Sequence, residues 1–143
     1  GIATDCGLLI LDEPTNGLDI PSKSQFRKII ANAVHDERSF IISTHQVRDM
    51  ESLIDPVIIL DEGQIVFNRN SEEISRRLVV KKMTEVPPGM DPVYAEHNLG
   101  GYTVVMENTA NEDSWMNLET LFNAVIHNKE AVNQIFNRQP DEL

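Results

Sequence analysis

The sequence predicts an α/β fold: a parallel sheet with flanking helices, followed by a small α+β domain. Three observations carry that prediction. Short apolar runs at residues 8–11, 40–42 and 57–60 are bounded by glycine, proline, serine or charged residues, as in strands buried on both faces. A segment of helical periodicity separates the first two runs, as a parallel pair requires. After Leu78 the pattern changes to β-rich runs and then to two amphipathic segments.

The elements follow in order. Leu8-Leu9-Ile10-Leu11 is the first strand, and it ends in Asp12-Glu13-Pro14. Pro21 suits the first turn of a helix, where its missing N–H costs nothing. Phe26, Ile29, Ile30 and Val34 then recur at helical spacing, which predicts a helix over 21–34 with Lys23, Arg27, Lys28 and Asn32 on the opposite face. Residues 39–43 form a second strand, rich in β-formers, and strand, helix and strand make a right-handed crossover. Val47, Met50, Leu53 and Ile54 predict a helix over 46–54, stopped by Asp55-Pro56. Residues 57–60 are a third buried strand, 61–64 a tight turn, and 65–67 the returning partner. Ser71 is placed as the cap of the next helix.

Beyond Leu78, residues 79–86 read as a strand and 87–92, with three prolines and a glycine, as a loop. Residues 93–97 and 101–106 flank Asn98-Leu99-Gly100 as a hairpin. Residues 108–114 are polar loop. Leu118, Leu121, Phe122 and Val125 predict a helix capped by Asn117, and Val132, Ile135 and Phe136 a last short one after Asn128. The division is therefore 1–78 and 79–143. The second part carries no metal-ligand spacing, no nucleophile–base arrangement and no glycine-rich loop, so it reads as accessory or regulatory.

Composition narrows the function. The chain has 143 residues and a formal net charge of −11, with 41% hydrophobic and 24% charged residues. The acidity is spread over both parts, and no cluster of Lys and Arg offers a surface for nucleic acid. Arg76-Arg77 with Lys81-Lys82 reads as a solvated helix end. One cysteine, Cys6, forms no internal disulfide framework and suits a reducing compartment. No apolar run approaches the roughly 20 residues that span a bilayer, so work at a membrane requires a partner to hold the chain there.

The chemistry concentrates at the strand ends. In open α/β sheets ligands bind beyond the carboxyl ends of parallel strands. Glu13 follows the first strand and His45 the second, so the strand–helix–strand pattern delivers both to one edge of the sheet. His35, His97 and His127 lack such a context and read as structural. Asp61-Glu62 repeats the paired acids, but Gly63 turns the chain into a hairpin, and no catalytic role follows.

The string Leu8-Leu9-Ile10-Leu11-Asp12-Glu13-Pro14-Thr15-Asn16-Gly17-Leu18-Asp19 resembles the Walker B strand and D-loop of an ATP-binding-cassette (ABC) ATPase. Ile42-Ser43-Thr44-His45 resembles the family's switch histidine. The resemblance is specific over the first half of the chain and weak over the second. It implies a P-loop NTPase sheet with ATP and Mg²⁺ as cofactors. By that match Asp12 is the Mg²⁺ carboxylate, Glu13 the catalytic glutamate that orients the attacking water, and His45 a contact to the γ-phosphate. Asp19 is the D-loop aspartate at the interface of two cassettes. The spacer Asn16-Gly17-Leu18-Asp19 departs from the common Ser-Ala-Leu-Asp. Neither a GxxxxGK[ST] loop nor a Leu-Ser-Gly-Gly-Gln signature occurs, so the chain reads as the C-terminal part of a longer ATPase.

The leading expectation is the ATP-hydrolysing subunit of a transporter, peripheral at the inner face of the cell membrane. Its partners would be a transmembrane permease and a second cassette, with homodimerisation expected. The chain alone is expected to be inactive toward ATP and to self-associate through an exposed strand edge. Two alternatives stand beside this: a non-transport ABC ATPase such as a translation factor, and a binding module that acts through residues 79–143. The intact Asp12, Glu13 and His45 weigh against a degenerate cassette.

Overall fold

The computed structural model describes residues 6–34, 38–114 and 116–138. His35 therefore lies outside the described residues. The chain divides into two compact units, Gly1–Ile54 and Asp55–Leu143.

The first unit is built on β1 (Leu8–Asp12), α1 (Ile20–Ala33) and β2 (Ser39–Ser43). β1 and β2 pair in parallel, with Leu9 opposite Phe40 and Leu11 opposite Ile42. Parallel neighbours cannot be joined by a tight turn, and α1 supplies the crossover. α1 starts where Asp19, in extended conformation, accepts a hydrogen bond from the Ser22 N–H at 3.0 Å, and Pro21 occupies its first turn. Ile30 is buried from this helix.

Two expectations for this unit need correction. The strands are not buried on both faces. Leu9, Leu11, Phe40 and Ile42 are half-buried, but Leu8, Ile10 and Ile41, on the other face, are 51%, 66% and 53% exposed. Alternation in a pleated strand sends neighbours to opposite faces, and nothing among the described residues covers the second one. The helix expected over 46–54 is a single 3₁₀ turn at Val47–Asp49. Val47, Asp49 and Ser52 are weak helix formers, and the Asp49 carboxylate is drawn to Lys23 and Arg27 of α1.

The second unit opens with β3 (Val57–Asp61) and β4 (Gln64–Arg69), an antiparallel pair of their own. The turn between them has positive φ at Glu62 (49°) and Gly63 (77°), as a twisted two-residue hairpin demands. β3 is buried on one face only: Val57 and Ile59 are buried, whereas Ile58 and Leu60 are exposed. α2 (Ser71–Arg77) is capped by Asn70, which accepts from the Glu73 N–H at 2.8 Å, and not by Ser71. Ser71 is engaged elsewhere: its N–H and hydroxyl both donate to Asp55.

α2 runs straight into β5 (Leu78–Met83), which ends three residues earlier than the sequence pattern suggests. β6 (Tyr94–Asn98) and β7 (Gly101–Glu107) form the expected hairpin. The sheet order is β5-β7-β6, all antiparallel, so β7 is the central strand. Gly101 has φ +140°, and a Cβ there would lie 2.2 Å from the Met83 carbonyl oxygen, so only glycine fits the close crossing. α3 (Leu118–His127), capped by Asn117, and α4 (Lys129–Asn137), capped by Asn128, complete the unit. Val79, Val104, Val105, Leu121, Ala124, Val125, Val132 and Ile135 are buried here. Phe67 and Phe136 meet edge-to-face at 5.2 Å.

Arg77 is not a solvated helix end. It is buried, and its guanidinium donates to the Arg138 carbonyl at 2.7 Å. Being the residue where α2 meets β5, it points inward with the strand it precedes. Lys81 pairs with Glu112. His97 and His127 pack edge-on against Tyr102 and Tyr94. Asp61 is bonded to Lys129, at the start of α4.

Candidate functional site at the strand ends

The parallel register puts Asp12 directly opposite Ser43 at the carboxyl ends of β1 and β2. Both face the same way, and the Ser43 hydroxyl donates to the Asp12 carboxylate. One residue further, the ladder makes its last bond, from the Glu13 N–H to the Ser43 carbonyl at 2.8 Å. Glu13 then turns with φ 45°, a left-handed conformation uncommon for a side chain other than glycine.

Three donors from the end of β2 meet its carboxylate. The Glu13 Oε1 accepts from the His45 N–H at 3.0 Å and lies 2.6 Å from His45 Nδ1. The Thr44 hydroxyl donates to Oε2 at 3.1 Å. The same hydroxyl oxygen accepts from the Gln46 N–H at 2.9 Å. The bond from the His45 ring, helped by the His45 N–H and the Thr44 hydroxyl, holds the Glu13 carboxyl below the usual glutamate value, against a smaller opposing effect of burial. An ionised carboxylate fixed this way can orient a water or pair with a protonated imidazole.

The connection to α1 is a compact turn. Asn16 N–H bonds the Glu13 carbonyl and Leu18 N–H the Thr15 carbonyl, with Gly17 at φ 76°. Thr15 is fully buried, and its hydroxyl has no hydrogen-bond partner among the described residues. Asp19 closes the turn by capping α1, and the Ser22 bonds hold its carboxyl below the usual aspartate value.

The structure thus brings Asp12, Glu13 and His45 to one edge, while Asp19 stands at the helix start, engaged with Ser22. Sequence reasoning missed Ser43 and Thr44 as partners of the two acids. Once the parallel pairing is known, aligning the two strands places Ser43 opposite Asp12, so the signal was available. Lys23, Gln46 and Asp49, which bond one another beside the site, left no comparable trace.

The residues present fit a hard cation in part. Mg²⁺ takes oxygen donors and commonly keeps several waters. Asp12 offers an exposed carboxylate with one oxygen engaged by Ser43. Among the described residues no group of three or more His, Cys, Asp or Glu side chains could hold a metal.

Comparison with known proteins shows what part of the chain resembles. No family model matches the chain. It is 38% identical over 71 residues to an uncharacterized ABC transporter ATP-binding protein of Methanocaldococcus jannaschii, a stretch covering 50% of this chain and 27% of that protein. It is 30% identical over 70 residues to the ABC transporter ATP-binding protein NatA of Bacillus subtilis, covering 49% and 28%. An energy-coupling factor transporter ATP-binding protein of Staphylococcus saprophyticus is 38% identical over 66 residues, covering 46% and 23%. Over about half its length this mixed α/β chain is therefore homologous to the ATP-binding proteins of ABC transporters. It spans about a quarter of the length of the relatives it matches.

Proposed function

We propose that this chain is the later part of a P-loop NTPase cassette that hydrolyses ATP and energises an ABC transporter. The observation that carries the reading is the Glu13–His45 pair, fixed at the common end of two parallel strands. The homology to ABC transporter ATP-binding proteins supports it.

When bound, Mg²⁺ would neutralise phosphate charge and ATP would supply the group transferred to water. The chain's own residues do the rest. Asp12, steadied by Ser43, would hold the metal through a carboxylate oxygen, directly or through water. Glu13, its carboxylate held by His45 and Thr44, would orient the attacking water. His45 is held with Nδ1 on Glu13, which leaves Nε2 to reach the γ-phosphate. Asp19 would lie at the interface with a second cassette. The phosphate loop would come from other sequence, so the 143 residues alone neither bind nor hydrolyse ATP appreciably.

The cassette part is proposed to extend through residue 78 and the accessory part to be 79–143, so that the compact unit Asp55–Leu143 combines the end of the one with the whole of the other. The proposed setting is the cytoplasmic face of a membrane, docked on a permease; no helix among the described residues is long and apolar enough to cross a bilayer. Unpaired strand edges favour self-association of the isolated chain. The test is Glu13→Gln in a whole cassette carrying these residues, with ATP binding and phosphate release measured separately. Binding without turnover supports the reading; unchanged turnover refutes it and favours a binding module.

A further inference from the structure

Hydrogen bonding of the backbone in regular structure ends at Ser43 and resumes only at the single 3₁₀ turn Val47–Asp49. Between them, Thr44 and His45 are placed by side chains, while the Gln46 carbonyl accepts the first bond of that turn from the Asp49 N–H at 3.1 Å. Upstream, Thr44 and His45 bond Glu13. Downstream, α1 adds side-chain restraints to that backbone bond. The Lys23 ammonium donates to Gln46 Oε1 at 2.8 Å and pairs with Asp49 Oδ2 at 2.7 Å. With its oxygen on Lys23, the Gln46 amide turns its nitrogen toward Asn16 Oδ1, 3.4 Å away. Arg27 adds longer contacts to Asp49, at 3.5 Å to its carbonyl and 4.0 Å to its carboxylate.

The Lys23 and Asp49 side chains are only 22% and 20% exposed, whereas the His45 side chain is 71% exposed. A partly desolvated, doubly bonded ammonium is a firmer anchor than a rim ion pair. The exposed His45 is thus flanked by a less exposed clamp on the next residue.

We infer that Lys23 is a positioning residue: through Gln46 and Asp49 it fixes the segment after β2 so that His45 stays on Glu13. Lys23 contacts neither Glu13 nor His45 and takes no part in proton transfer. Its effect on turnover rests on the function proposed above, but its effect on His45 does not.

The first experiment therefore uses the 143-residue chain without nucleotide. Lys23→Met is compared with Lys23→Arg and with the parent by NMR of the His45 amide and ring. Loss of the clamp is expected to move both sets of signals away from the Glu13-bonded positions and to speed His45 amide exchange about tenfold, the size of one lost charged hydrogen bond. Lys23→Arg, whose forked guanidinium can serve both acceptors, restores them. Unchanged His45 signals in folded Lys23→Met overturn the inference. If Lys23→Met does not fold by circular dichroism, Gln46→Leu is read in the same way, and unchanged His45 signals there overturn it equally.

The second experiment uses the whole cassette. Lys23→Met is expected to lower kcat about tenfold with KM for ATP within twofold. A raised KM at constant kcat overturns the positioning role. If Glu13→Gln leaves turnover intact, the function reading fails, and the His45 signals still decide the role of Lys23.

Discussion

In the unit holding Asp12, Glu13 and His45, Ile30 and Met50 are the buried apolar side chains among the described residues, and the face of Leu8, Ile10 and Ile41 is open. The unit from Asp55 onward buries apolar residues from β3, β4, β5 and β7 and from α2, α3 and α4. Its central strand is apolar toward the core and its helices carry strong apolar faces. The strand-end site is therefore built on the sparser of the two cores. Its geometry rests on in-register pairing and on charged hydrogen bonds among Glu13, Thr44, His45, Lys23 and Asp49 rather than on packing. The candidate site and the larger apolar core thus lie in different units.

That contrast can be broken at several points. The largest effect is expected at the site: in a whole cassette, Glu13→Gln should lower phosphate release by about 10²–10⁴-fold, the range for loss of a positioned acid–base group, with ATP binding retained. Next comes the second unit. Leu121→Ala should cost about 2–5 kcal/mol in denaturant unfolding of the 143-residue chain, because Leu121 is fully buried. Ile10→Ser in the first unit should change stability by no more than about 0.5 kcal/mol, as for an exposed side chain. A cost comparable with that of Leu121→Ala would show that the open face of β1 is covered in solution, and sedimentation of the two chains would then differ.

The smallest effect concerns pH. Asp19 has its carboxyl lowered from the ordinary 3.8 by Ser22. A depressed carboxyl stabilises above its unfolded value, and that contribution fades as pH falls through the folded value. The Ser22 amide should therefore exchange faster only below about pH 4, with exchange already fast in Asp19→Ala at neutral pH. An acid-insensitive Ser22 amide would remove Asp19 as the cap.

Much of this was legible in the residues. β1, α1, β2, the β3–β4 hairpin, the β6–β7 hairpin and the Asn117 cap of α3 all follow from short-range periodicity and turn chemistry. So did the meeting of Glu13 with His45, because parallel strands joined by a crossover share a carboxyl edge. The failures have a common cause. Apolar spacing alone predicts a helix over 46–54, yet Asp49 is bonded to α1 and the local propensity is poor. Ser71 has good capping chemistry, but Asp55 holds its hydroxyl. Arg77 reads as a surface charge until the backbone carries it inward at the junction with β5.

By itself, the sequence determined which segments become strands and helices and which side chains stand where β1 and β2 stop. Those properties depend on neighbours a few residues away and on a fixed spacing of apolar and acidic residues. The tertiary structure decided that β7 lies between β5 and β6, that Leu8, Ile10 and Ile41 face outward, and that Lys23 reaches Gln46 and Asp49. Each depends on groups distant in the chain, whose pairing is set by register and charge in space. Local pattern placed Glu13 and His45 on one edge; long-range contacts hold them together.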